Sequence, residues 1–232
     1  MAPSISVVIP MFNEEDYVCR AVGAARAVLE EMGGDWEIVL VDDASTDRTA
    51  ALADELARAE PRIKVVHNPR NRRLGGSLRA GYAAAEKELV LYTDADLPAD
   101  IKELPRAVHL LQYQEADVVA GYRFDRTADG LRRAVLAGGY NLLVRVLFGL
   151  RVRDVNFAFK LFRRSLLERI ALRSEGSFID AEFLLRARKA GAHVVQVGLD
   201  YFPRTRGDSK LSSSAVVLGI LREMAASWRD LR

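Results

Sequence analysis

The stretch Leu89-Val90-Leu91-Tyr92-Thr93-Asp94-Ala95-Asp96 is an apolar run that ends in two carboxylates. Its first five residues include no charged side chain and have the length of a typical strand, which predicts a strand buried on both of its faces. Asp94 and Asp96 then lie in the loop that follows. In sheets of parallel strands, ligands bind at the carboxyl ends of the strands, so this loop is the first candidate for a functional site.

The same alternation of strand and helix precedes this stretch. Strands are predicted over Ile5–Pro10, Trp36–Val41 and Ile63–His67, and helical patterns follow them to about Leu29, Ala59 and Glu86. Ser45-Thr46-Asp47 supplies capping residues for the second of these helices. Repeated alternation with continuous apolar strands predicts an α/β fold, in which a mostly parallel sheet carries helices on both faces.

Beyond the acidic loop the pattern is less regular. Further helices are predicted over Ile101–Gln112, Leu131–Phe148, Arg164–Ala171, Asp180–Ala190 and Leu211–Leu231, and further strands over Ala116–Gly121, Phe157–Phe162 and His193–Leu199. Neither an internal repeat nor a linker divides the chain, so we predict a single domain over residues 1–232.

Composition narrows the class of protein. The 34 basic residues nearly balance the 32 acidic ones, which excludes a global field that would favour nucleic acid. Cys19 cannot form an intrachain disulfide, and we expect it to be a small core residue of its helix. The longest apolar stretch, Ala134–Leu150, is interrupted by Asn141 and Arg145. We therefore expect no transmembrane helix and, without a leader sequence, a cytoplasmic location.

Asp94 and Asp96 are suited to bind a divalent cation. Their spacing brings two carboxylates into one tight loop, and hard cations prefer oxygen ligands. The same residues also fit a turn that caps a helix after Pro98, and in isolation the two interpretations are equally good.

A second acidic loop, Asp42 to Thr49, is predicted at the same edge of the sheet. Two acidic loops at one edge repel each other unless a cation or hydrogen-bond donors lie between them. Ribose hydroxyls or a base N–H would suit the carboxylate of Asp43. This second loop favours the metal-site interpretation of Asp94 and Asp96.

Three motifs in order, Val8-Ile9-Pro10-Met11-Phe12-Asn13-Glu14-Glu15, Val41 to Thr49 and Thr93-Asp94-Ala95-Asp96-Leu97, resemble the family 2 glycosyltransferases of GT-A (Rossmann-like) fold. Within that family the chain is most similar to dolichyl- and polyprenyl-phosphate sugar synthases. That likeness rests on Gly121-Tyr122-Arg123, on Asp154 with the segment from Phe157 to Arg164, and on the segment from Arg204 to Lys210. The resemblance covers nearly the whole chain.

The resemblance implies roles for individual residues. Pro10, Phe12, Glu14, Val41 and Asp43 would bind the nucleoside, and Gly76 would lie in a loop approaching the donor. Asp94 and Asp96 would hold Mg²⁺ or Mn²⁺, and Asp96 would also be a catalytic residue. Arg123, Arg204 and Lys210 would bind phosphate groups, because a donor diphosphate and an acceptor phosphate repel each other without basic residues.

The chain departs from the family pattern at two places. Pro98 stands where many synthases have a polar residue that reaches the metal, so the cation would keep an extra water. Asp180-Ala181-Glu182 replaces the adjacent Glu-Asp pair that carries the base in hydroxyl-acceptor relatives. A phosphate acceptor is already ionised near neutral pH and needs no base, whereas a hydroxyl acceptor would need Asp180 or Glu182.

The resemblance implies an inverting, metal-dependent transfer of a sugar from a GDP-mannose- or UDP-glucose-type donor to a polyprenyl or dolichyl phosphate. The alternatives are transfer to a hydroxyl acceptor and an inactive nucleotide-binding protein. Residues 1–125 would bind the nucleotide sugar, 126–210 would face the acceptor, and 211–232 would form an amphipathic helix. We expect peripheral contact with the cytoplasmic face of a membrane, or a membrane partner, through Leu131–Leu150 or Leu211–Arg232.

Overall fold

The computed structural model describes residues 2–125, 131–202 and 214–231. Within these ranges the strands are β1 (Ile5–Met11), β2 (Trp36–Asp42), β3 (Ile63–His67), β4 (Leu89–Thr93), β5 (Val118–Arg123), β6 (Phe159–Arg163) and β7 (Val194–Leu199). The α-helices are α1 (Val18–Met32), α2 (Thr49–Ala59), α3 (Arg73–Ala84), α4 (Leu104–Tyr113), α5 (Leu131–Phe148), α6 (Ile179–Lys189) and α7 (Ser214–Leu231). Short 3₁₀ helices cover Ile101–Glu103 and Arg164–Glu168.

The seven strands of the described chain form one sheet in the order β3-β2-β1-β4-β6-β5-β7. Strands β3, β2, β1 and β4 run parallel, and β5 runs parallel to β7. Strand β6 is antiparallel to both of its neighbours, β4 and β5. The predicted mostly parallel α/β sheet is therefore confirmed. Because β6 reverses direction between them, β4 and β5 point the same way.

The alternation of side chains along the strands builds two cores. In β1, Ile5, Val7 and Ile9 face one core, and Val8 faces the other. Helices α1, α2 and α4 cover the first core, and α3, α5, α6 and α7 cover the second. Helices thus cover both faces of the sheet, as the unbroken apolar strands predict.

The helix α1 shows why the prediction for Cys19 is wrong. The buried positions of α1 are Val18, Ala21, Val22, Ala25, Val28 and Leu29, which form one stripe. Cys19 follows Val18 by one residue, about 100° around the helix, and is exposed. A cysteine next to the apolar stripe of a helix is therefore not part of the core.

The observed limits of several other helices and strands differ from the predicted ones. The predicted helix from Ile101 begins as a 3₁₀ turn, and the helix predicted over Arg164–Ala171 is a 3₁₀ helix that ends at Glu168. Strand β6 begins at Phe159 rather than at Phe157. Within the described residues, no helix combines the length and the apolar character needed to cross a membrane.

Candidate active site

The loops after β1, β2 and β4 lie side by side at one edge of the sheet. Register fixes this arrangement, since Met11 pairs with Asp42 and Val8 pairs with Tyr92 on the parallel neighbours of β1. Arg123 ends β5, which points the same way, so it reaches the same edge. The sheet therefore brings both acidic loops and one of the predicted phosphate-binding residues to one side of the molecule.

Non-glycine residues with positive φ occur in each of these three loops. They are Asn13 after β1 (φ 56°), Ala44 after β2 (φ 58°) and Leu97 after β4 (φ 50°). Left-handed backbone is unfavourable for residues with a side chain, and observed strain of this kind clusters at functional sites. Each of the three motif loops therefore contains a non-glycine residue with left-handed backbone.

The loops after β1 and β2 are joined by hydrogen bonds. Asn13 N–H donates to Ser45 Oγ at 3.0 Å, and Thr46 N–H donates to Asn13 Oδ1 at 2.8 Å. Glu14 N–H donates to Thr49 Oγ1 at 2.7 Å, and Arg48 N–H donates to a carboxylate oxygen of Glu15 at 3.1 Å. Many motif residues therefore hold the two loops together. Asp47, one residue before the N-cap Arg48, accepts from the N–H of Thr49, the first residue of α2, at 2.9 Å.

Asp43 lies buried at the end of β2. Its Oδ1 accepts hydrogen bonds from Asn68 Nδ2 and from Arg72 N–H, both at 2.8 Å. Within the described residues no hydrogen bond involves Oδ2. Sequence reasoning missed Asn68. Its only signal is that it directly follows β3, which is the neighbour of β2.

The other predicted nucleoside residues differ in their surroundings. Pro10, Phe12 and Glu14 are partly exposed at the carboxyl end of β1. Val41 is fully buried in the core and faces Gly81 of α3, where a Cβ would come within 2.9 Å of its methyl group. The prediction that Val41 lines the pocket is therefore wrong for its side chain, because alternation along β2 turns that side chain into the core.

Gly76 lies in the first turn of α3 and not in a loop, so its predicted setting is wrong. Its N–H donates to Glu175 O at 3.2 Å, and an added Cβ would lie 2.4 Å from Arg72 Cβ. At the preceding Gly75 an added Cβ would lie 2.3 Å from Ser174 O. The two glycines therefore let α3 pack against the backbone of the segment that precedes α6.

Asp94 sits directly behind β4, where Tyr92 O–H donates to its Oδ1 at 2.9 Å. Burial raises the pKa of Asp94 to about 7; the like charge of Asp96 adds to the shift, and the Tyr92 hydrogen bond opposes it. Asp100, not Asp94 or Asp96, caps the 3₁₀ helix that follows by accepting from Lys102 N–H at 3.0 Å. The N-cap of the helix after Pro98 is therefore Asp100.

The two carboxylates fit a divalent cation by the chemistry of the donor set. They are hard oxygen donors in one turn, and each disfavours the charge of the other unless a cation lies between them. Across residues 2–125, 131–202 and 214–231, no group of three His, Cys, Asp or Glu side chains is placed to hold a metal ion. Further ligands would then come from water or from a phosphate group.

Asp180 and Glu182 are buried in the first turn of α6 and engaged with other protein groups. Asp180 Oδ1 accepts from Lys160 Nζ at 2.6 Å. Glu182 accepts from Arg173 N–H at 3.0 Å, from Ser174 N–H at 2.7 Å and from Arg186 Nε at 2.7 Å. Burial raises the pKa of Asp180, and the ammonium of Lys160 opposes that shift.

Arg123 is a buried residue with a carboxylate partner. Its Nε donates to Asp154 Oδ2 at 2.7 Å, and its NH2 group donates to Asp154 Oδ1 at 3.2 Å. The guanidinium also lies 5.1 Å from the ring centroid of Tyr201. The site edge thus has a positive group held in a fixed direction. Arg204 and Lys210 lie outside the described residues.

Comparison with known proteins identifies a family. The model of "Glycosyl transferase family 2" matches residues 6–171, well over half of the chain. Glycosyltransferase AglD of Haloferax volcanii is 32% identical over 98% of this chain, and an undecaprenyl-phosphate mannosyltransferase of Micrococcus luteus is 28% identical over 98%. The chain spans 97% of the Micrococcus protein but 37% of AglD, and 62% and 66% of two further curated relatives.

A solved structure shows the same fold. Glucosyl-3-phosphoglycerate synthase from Mycobacterium tuberculosis, in complex with Mn²⁺ and UDP-glucose, has a TM-score of 0.71 at 21% identity and covers 97% of this chain and 79% of its own. At this identity the likeness shows the fold alone, and it confirms the predicted GT-A architecture. The match of the family model over residues 6–171 shows that the chain belongs to glycosyl transferase family 2, as its three motif loops predict.

Proposed function

We propose that the protein transfers a sugar from a nucleoside diphosphate to a polyprenyl or dolichyl phosphate, with inversion at the anomeric carbon. The observation that carries the proposal is that the acidic loop of Asp94 and Asp96 lies at the same edge of the sheet as Asp43. The loop follows β4, Asp43 follows β2, and β1 lies between these two strands. The named activity of the Micrococcus relative and the ligands of the M. tuberculosis structure support it.

The donor would bind across the ends of β2, β1 and β4. Asn68 and Arg72 fix the carboxylate of Asp43 through Oδ1, which leaves Oδ2 for a ribose hydroxyl or a base N–H. Asp94 and Asp96 would hold Mg²⁺ or Mn²⁺ against the diphosphate, where the cation supplies charge stabilisation for the departing group. The partly exposed Phe12 would contact the nucleoside.

A phosphate acceptor suits the buried carboxylates. A hydroxyl acceptor requires a base within reach of the nucleophile, yet Asp180 is engaged by Lys160 and Glu182 by two backbone N–H groups and Arg186. We assign both residues to positioning. A lipid phosphate is already ionised near neutral pH, and Arg123, supported by Asp154, would orient it. Arg204 and Lys210 remain predicted phosphate ligands.

The proposal is tested by a matrix of donors and acceptors. UDP-, GDP- and dTDP-sugars are screened with Mn²⁺ or Mg²⁺ for thermal stabilisation, and the stabilising donors are then offered to polyprenyl phosphate and to free prenol. We expect a sugar-phosphoprenol product that disappears with excess chelator. Transfer to prenol at a similar rate would favour the hydroxyl alternative. Donor binding without transfer to either acceptor would favour the inactive nucleotide-binding alternative, and the absence of donor binding would contradict both.

A lipid acceptor requires access to a membrane, and the second helical layer has a surface of suitable chemistry. Helix α5 exposes Val135, Leu142 and Val146, and α7 exposes Leu218 and Leu221. A cleft of about 600 Å³ separates the two helices and is lined by residues that include Leu147 and Trp228. Arg145, Arg222 and Arg229 are exposed on these helices, while the partly exposed carboxylate of Asp230 is paired with Arg173 and Arg186. We propose that this α5–α7 surface docks on an anionic bilayer.

Acidic side chains introduced on the α5–α7 surface are expected to weaken membrane binding. The double variant Leu142→Glu/Val146→Glu should co-sediment with phosphatidylglycerol vesicles several-fold less than the wild type, because it removes apolar contact and repels anionic headgroups. Tyr113→Glu is the matched control, since Tyr113 is exposed on α4 in the opposite helical layer. Failure of the wild-type protein to sediment at low salt would contradict direct docking.

A further inference from the structure

Tyr92 is a buried residue whose hydroxyl contacts the acidic loop of the site. It is 1% exposed on β4, and its hydroxyl lies 2.9 Å from Asp94 Oδ1. Tyr92 and Asp94 are two residues apart, so they project to the same side of the strand where it ends. A buried phenol needs a hydrogen-bond acceptor, and the first acidic residue of the loop provides it.

The ring of Tyr92 is fixed by a buried charge pair. Lys160 pairs with Tyr92 in the antiparallel register of β4 and β6, and its Nζ lies 5.4 Å from the ring centroid. The same Nζ donates to Asp180 Oδ1 at 2.6 Å and to Phe157 O at 2.9 Å. Lys160 and Asp180 are 1% and 3% exposed, so neither has room to change its position.

The contacts therefore run without a gap from Asp180 through Lys160 and Tyr92 to Asp94. At the end of this series the phenol hydrogen bond occupies Oδ1 of Asp94 and limits rotation of its carboxylate. Groups that hydrogen-bond to metal ligands fix the orientation of those ligands, and their loss typically weakens metal affinity about 10- to 100-fold.

We propose that Tyr92 is a positioning residue for the cation site, and that the Lys160–Asp180 pair holds it in place. The inference rests on the proposed role of Asp94 as a metal ligand. It gives Asp180, which the sequence suggests as a base, a role in supporting Tyr92. It also explains why a lysine is fully buried within β6.

The experiment compares Mn²⁺ binding by the whole protein, measured as loss of the free Mn²⁺ signal in electron paramagnetic resonance. Titrations are made with Mn²⁺ alone and again with UDP or GDP present. For Tyr92→Phe we expect the Kd for Mn²⁺ to rise about tenfold. The same variant should show a raised KM for Mn²⁺ in sugar transfer, with kcat largely recovered at saturating metal.

Tyr82→Phe is the matched control. Tyr82 is also buried beneath the site, where it packs edge-on against Phe162 at 5.2 Å, and within the described chain its hydroxyl makes no hydrogen bond to Asp94. The Kd of the Tyr82→Phe variant for Mn²⁺ should stay within about twofold of the wild-type value, well below the increase expected when a hydrogen bond to a metal ligand is lost. A general effect of removing a buried hydroxyl would change both variants equally and would overturn the inference.

Asp96→Ala separates this inference from the proposed function. If the wild type binds Mn²⁺, Asp96→Ala does not, and Tyr92→Phe binds as the wild type does, only the role of Tyr92 is overturned. If the wild type binds no Mn²⁺ with or without nucleotide, or Asp96→Ala binds equally well, the proposed cation site itself is overturned.

Discussion

Replacement of Asp96 with alanine is expected to slow sugar transfer on the order of a thousandfold, because metal stabilisation of a departing diphosphate contributes several kcal/mol to the transition state. The variant loses one of the two carboxylates that we assign to the cation site, and the remaining Asp94 is a single ligand. The measurement is kcat/KM for transfer to polyprenyl phosphate at a fixed Mn²⁺ concentration.

Asp100→Ala is the control for Asp96→Ala, since it removes a carboxylate from the same loop. Asp100 is exposed and caps the short 3₁₀ helix, so its loss should cost stability of about 1 kcal/mol and leave kcat/KM nearly unchanged. Full activity of Asp96→Ala in excess chelator would show that transfer does not depend on metal at this loop.

Lys160→Met is expected to lower the free energy of unfolding by about 3–5 kcal/mol, because it leaves a buried carboxylate without its partner. Asp180 is 3% exposed and depends on Lys160 for its only described salt bridge. Loss of the ammonium would further raise the pKa of Asp180, since Lys160 opposes the effect of burial. Urea denaturation of the wild type and variant at neutral pH provides the comparison.

Two further variants show whether burial is the cause. Lys87→Met breaks the ion pair of Lys87 with Asp35, which has the same 2.6 Å separation, but Asp35 is largely exposed. Loss of this ion pair should lower the free energy of unfolding far less than Lys160→Met does, because solvent screens an exposed pair. The double variant Lys160→Met/Asp180→Leu removes both buried charges and should recover most of the stability. A loss in the double variant equal to that in Lys160→Met would contradict this explanation.

Much of the fold is predictable because local sequence determines it. The limits of β3 and β4 follow directly from apolar runs, and α5 was predicted with its observed limits. The place of β6 was not predictable from pattern, because the side chains of Phe-Lys-Leu-Phe-Arg carry no information on which strands lie beside it. Only packing of the whole chain inserts β6 antiparallel between β4 and β5.

The site was predictable where residues cluster in sequence. Asp94, Asp96 and Asp43 were predicted to lie at one edge because the strand ends of a parallel sheet meet there, and the strand order and register place their loops at that edge. The Tyr92–Lys160–Asp180 series joins three elements that lie far apart in the chain, so the spacing of these residues in the sequence does not predict their contact. The lysine within an apolar strand was the available signal, since a strand buried on both faces has no exposed position for a charge.

The hydrogen bonds between the loops after β1 and β2 limit how sequences of this family can be recombined. Hydrogen bonds of Asn13 and Glu14 with Ser45, Thr46 and Thr49 join the two loops, so the residues of each loop are matched to those of the other. A hybrid enzyme that takes only residues 11–16 or only residues 42–49 from a relative would combine loops with unmatched partners. Exchanging donor preference between family members should therefore require both segments to be transferred together.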